Sequence, residues 1–102
     1  MQSVVQPESN QAKNSEQAKI NYCRKALDSL KQINAKQAYK YNTSFNSLVS
    51  AASQYNSVRD QVATSTRQAV DSMYQFKAAK LCADIDKELM DSLVARGENA
   101  VR

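Results

Sequence analysis

Histidine and tryptophan are missing from this chain, and glycine and proline occur once each. These gaps close off several kinds of function. Without histidine, no side chain titrates near neutral pH in the ordinary way, so the usual general base of an enzyme is not available. A Cys/His zinc site is excluded for the same reason. The two cysteines, Cys23 and Cys82, have no CxxC spacing and cannot close a tetrahedral metal site by themselves. One glycine is too few for a loop that cradles phosphates. No apolar run approaches the roughly 20 residues that cross a bilayer. The opening Met1-Gln-Ser-Val-Val lacks the basic start and apolar centre of a secretory signal.

The shortage of glycine and proline is also a statement about shape. Pro7 and Gly97 lie near the two ends, so neither helix breaker occurs between Glu8 and Arg96. Within that span Ile20, Cys23, Leu27, Leu30, Ala38, Tyr41, Phe45, Leu48 and Ala52 share one narrow face at 100° per residue. Only Asn34 interrupts the row. One helix through this stretch would be about 50 Å long. The pattern predicts an all-α protein, a small bundle of long antiparallel helices. Residues 1–10 read as a flexible lead-in, 11–97 as a single helical domain, and 98–102 as a frayed tail beyond a stop at Gly97.

Two arrangements fit. In a two-arm hairpin the apolar row stays continuous through Asn34 and the chain turns near Ser53 to Ser57, with Ser57 and Asp60 marking a new helix start. That register sets Cys23 against Cys82, Asp28 against Lys77 and Lys19 against Asp86. In a three-helix bundle, Asn34 and Gln37 form the capping pair of a second helix over 35–62, and a third follows over 66–96. The last third carries two apolar faces, Val58, Val62, Ala69, Met73 and Phe76, then Leu81, Cys82, Ile85, Leu89 and Leu93. Either a bend near Lys77 to Lys80 or contacts to two different helices would account for them.

Chemistry finds little purchase. Cys23 and Cys82 sit on apolar faces with no partner spaced to activate them, and they read as a disulfide. The acidic group Asp84, Asp86, Glu88 and Asp91 lacks the glycine of a calcium loop and reads as a solvated helix face. No catalytic residue, metal or cofactor is expected. Lys25, Ser29, Gln32, Lys36 and Lys40 form a polar row opposite the apolar one, with Tyr22 and Tyr39 near its edges. An ordinary wet face has this pattern, and so does a partner-binding face built from Tyr22, Lys25, Gln32, Lys36, Tyr39 and Lys40. The net charge of +4 is too small, and the aromatics too sparsely interleaved, for a dedicated nucleic-acid binder.

What is left is a protein whose work is contact, with another protein or with itself as a homo-oligomer. A disulfide points to an oxidising compartment. The expectation is therefore a small periplasmic or secreted binding, inhibitory or accessory protein whose signal has been removed. The alternative is a cytoplasmic or structural component that self-assembles.

Overall fold

The computed structural model describes the backbone of residues 8–101 and the side chains of residues 18–100. Those residues form three α-helices and no strand: α1 (Glu8–Ile33), α2 (Ala35–Val58) and α3 (Thr64–Val101), with a short 3-10 turn at Arg59–Gln61 before α3. The protein is all-α, as the periodicity predicts, and it takes the three-helix form. The lead-in expected over 1–10 lies mostly outside the described residues, and Glu8, Ser9 and Asn10 already belong to α1.

Asn34 makes the first corner. Its backbone leaves the helical region at φ −151° and ψ 80°, and its side-chain oxygen accepts from the Gln37 amide, which caps α2. One residue therefore stops α1, reverses the chain and starts the next helix. The turn expected at Ser53 to Ser57 stays helical, with the Ser57 hydroxyl turned back to the Gln54 carbonyl, and the chain turns just beyond it, between Val58 and Thr64.

Contacts across the bundle fix the direction of each helix. Cys23 lies at Cys82 while Ile33 and Asn34 lie at Arg96 and Ser92, so α1 and α3 run parallel. At the other end Tyr55 of α2 meets Asp71 and Tyr74 of α3, so α2 runs antiparallel to α3. The hairpin register falls with this. Cys23 and Cys82 do meet, but Asp28 pairs with Lys31 on its own helix at 3.6 Å, and Lys19 and Asp86 are not brought together.

The core is small and sits in the half nearer Asn34. It is built from Cys23, Ala26, Leu27, Leu30, Ala38, Phe45 and Ile85, with Ile20, Tyr41, Leu81, Cys82 and Leu89 packed against it. Leu30 and Ile85 are fully buried. The molecule is elongated, 57 × 36 × 17 Å with a radius of gyration of 17.4 Å. A compact domain of this length would have a radius of about 13 Å.

α3 runs straight past its expected stop. Gly97 stays in the helix without positive φ, and the residues expected as a frayed tail are helical as far as Val101. Nothing lies within 4 Å of a Cβ built at Gly97, so this glycine makes no close approach to another helix.

Candidate interaction surfaces

Three regions carry the polar and exposed apolar groups that core packing leaves over. The first is the Asn34 corner. Asn34 Nδ2 donates to the buried Ser92 hydroxyl at 3.3 Å, which in turn donates to Glu88 Oε2 at 3.4 Å. Arg96 gives both Nε and Nη2 to the Ile33 carbonyl, at 3.2 and 3.0 Å. These bonds supply the Ile33 carbonyl, at the end of α1, with the donors that a continuing helix would have given it. A depression of about 290 Å³ opens beside the corner, lined by Glu88, Asp91, Ser92 and Arg96. Asp91 is engaged there with Lys87 at 2.8 Å, and Glu88, Ser92 and Arg96 as above. Among the described residues, no group of three His, Cys, Asp or Glu is placed to hold a metal.

The second region holds the opposite end of α2 against the start of α3. Arg59 forms a two-pronged ion pair with Asp71, Nε to Oδ1 at 3.1 Å and Nη2 to Oδ2 at 2.5 Å. The Tyr55 hydroxyl donates to the same Asp71 oxygen at 2.8 Å, and its ring stacks on Tyr74 at 5.6 Å. The Arg59 guanidinium is the main reason the Asp71 carboxyl is held below the usual carboxylate range, against the opposing effect of burial. Burial first, then the hydrogen bond to Asp71, raises the Tyr55 hydroxyl above its ordinary value. Apolar packing is thin at this end, and the cluster does the fastening instead.

The third region is the outer face of α3. Taking Ile85 as the direction of the core, Phe76 and Val94 lie about 180° round the helix at 100° per residue, and Ala83 and Met90 lie within about 40° of them. Phe76 is 68% exposed, Met90 60% and Val94 51%. The inward side of the same helix is Tyr74, Ala78, Leu81, Cys82, Ile85, Leu89 and Ser92, all buried or half-buried. This corrects the sequence reading. Val58, Met73 and Phe76 are exposed rather than packed on a neighbour, and α3 is unbroken through Lys77 to Lys80. One of its two apolar faces builds the core and the other meets solvent.

The face expected from sequence is partly dispersed. Tyr22, Lys25, Gln32, Lys36, Tyr39 and Lys40 are all exposed. The corner at Asn34, however, places the first three on α1 and the last three on the antiparallel α2, so they are not one helical row. Lys40 turns its ammonium over the Tyr41 ring at 5.4 Å, and the Arg24 guanidinium sits 5.1 Å from the Phe45 ring. The α3 stripe is the surface that sequence reasoning missed. Its signal was the seven-residue spacing of Phe76, Ala83 and Met90, half a turn out of step with Leu81, Ile85 and Leu89.

Cys23 and Cys82 face each other between α1 and α3 with their Cα atoms 5.3 Å apart, at disulfide distance. No described helix is long and apolar enough to cross a membrane. No curated protein and no solved structure matches the chain. A family model does, over residues 4–101, and on that match the chain belongs to the YuaE family.

Proposed function

We propose that this protein is a non-catalytic protein–protein interaction module that works outside the cytoplasm, as a small periplasmic or secreted binding, inhibitory or accessory protein. The observation that carries the reading is the outer stripe of α3. A helix that has already buried one apolar face in its own core keeps Phe76, Met90 and Val94 in water. Leaving large apolar side chains exposed along one line gives up burial free energy that a partner would recover. The cysteine pair supports the compartment, since a Cys23–Cys82 bridge persists where the surroundings are oxidising.

A photo-crosslinking residue placed at Phe76 in the producing cell tests the reading, with a second placed at Lys36 on the face expected from sequence. Cross-links to protein from Phe76 are the expected result. No protein cross-link from either position sinks the interaction reading. Thiol labelling of intact and lysed cells under non-reducing conditions tests the compartment, and two free cysteines in the native protein would return it to the cytoplasm.

A further inference from the structure

We infer that the partner of the α3 stripe is a second copy of this chain, docked antiparallel. The inference rests on the interaction reading above and names its occupant. The reason lies in the charges beside the stripe. Lys80, Asp84, Lys87 and Asp91 follow one flank of it in alternating sign. Each lysine reaches the acid four residues on, Lys80 to Asp84 at 3.3 Å and Lys87 to Asp91 at 2.8 Å. Both pairs place the lysine on the N-terminal side, the weaker order within a helix, so intrahelical stability is a poor explanation for them.

A row that reads plus, minus, plus, minus is complementary to its own reverse. When two such helices face each other about a two-fold axis, the same flank of each meets the other. Placing Lys80 opposite Asp91 of the second copy then also places Lys87 opposite Asp84 of the second copy, and the symmetry repeats both pairs. The same register brings Phe76 to Val94 of the second copy on the stripe, and Ala79 to Leu93 of the second copy on the flank that carries Asp86, large against smaller in both. Ala83 falls near the axis, where a small side chain lets two helices approach closely. A parallel two-fold pair would instead set this row against the other flank, where Ala79, Asp86 and Leu93 offer it no complementary series of charges.

One contact in this register is unfavourable. Asp86, on the other flank, comes beside Asp86 of the second copy. The overlap also bounds the affinity. Some 30 residues of helix at 1.5 Å each, with a contact strip about 10 Å wide, cover roughly 450 Å² per copy. That is at the low end for a specific interface, which makes the association a weak and reversible one.

Sedimentation equilibrium of the purified protein without reductant, over a range of concentrations, tests it. A concentration-dependent dimer is expected. Phe76→Asp abolishes it with the helical circular dichroism unchanged, because Phe76 takes no part in the core. Lys80→Glu weakens it about tenfold, Lys80→Glu with Asp91→Lys restores it, and Asp86→Asn tightens it. A protein that stays monomeric to about 1 mM overturns the inference. So does a dimer indifferent to Phe76→Asp, or a double charge swap no better than the single one. A monomer whose Phe76 position still cross-links to a different protein in the cell removes the second copy and keeps the interaction module. A monomer with no cross-link removes both.

Discussion

Arg96, on α3, donates both Nε and Nη2 to the carbonyl oxygen of Ile33, the last residue of α1, 63 positions earlier in the chain. A single side chain thus closes the end of one helix and ties it to another. Arg96→Ala is expected to destabilise the fold by about 1 kcal/mol, below the roughly 1.5–3 kcal/mol of charged hydrogen bonds because the contact is exposed. Arg96→Lys recovers only part of this, since an ammonium cannot offer two fixed donors. Urea unfolding midpoints of the three proteins give the comparison.

Ile85 and Phe76 lie on opposite sides of α3 and are expected to behave oppositely. Ile85→Ala leaves a cavity among Leu27, Leu30 and Phe45 and costs about 2–5 kcal/mol. Phe76→Ala, at an exposed site, changes stability by less than about 0.5 kcal/mol. Equal losses at the two positions would mean that the outer face is packed after all. Thermal melts at low protein concentration decide between these outcomes.

Cys23 on α1 and Cys82 on α3 lie at disulfide distance, 59 positions apart in the chain, and a bridge between them would staple the two helices. Replacing both cysteines by serine is expected to cost about 4 kcal/mol in the chain-entropy view of cross-links. Reduction of the wild type should match that loss, and the serine variant should not respond to reductant. Denaturation with and without dithiothreitol measures both effects.

Acid should open the end of the bundle held by Arg59 and Asp71 first. Arg59 depresses the Asp71 carboxyl in the folded protein, so its contribution is present above the unfolded carboxylate value of about 3.9 and is lost as the pH falls through the lower folded value. Stability should therefore decline on that account only below about pH 4. Asp71→Asn should lower stability at neutral pH and flatten the acid limb. An unchanged acid limb in that variant would place the sensitivity elsewhere.

Much of this bundle is legible in the sequence. Leu27, Leu30, Ala38 and Phe45 fall on the predicted apolar face and are buried, and the Asn34–Gln37 capping pair marks the corner it forms. The continuity of that face through Asn34 is what misleads. A stripe shows which side of a helix is buried, and a one-residue corner can keep the stripe in phase while reversing the chain. Helix direction is carried instead by long-range bonds such as Asn34 to Ser92, which leave no periodic trace. The outer stripe was hidden for a related reason. Phe76 and Met73 continue the spacing of the apolar residues before them, Val58, Val62 and Ala69, whereas the inward face of α3 is set by Leu81, Ile85 and Leu89 after them. Gly97 misled differently: glycine permits a left-handed stop but does not impose one, and here the helix continues.

The cross-link has one more consequence, which concerns cutting the chain. Once bridged, Cys23 and Cys82 close a covalent ring that contains all of α2 and the turn after it. A protease that severs one peptide bond anywhere inside that ring leaves two fragments on the same molecule. The nicked protein would keep its mass, apart from an added water, and would fall apart only when a reductant opened the bridge.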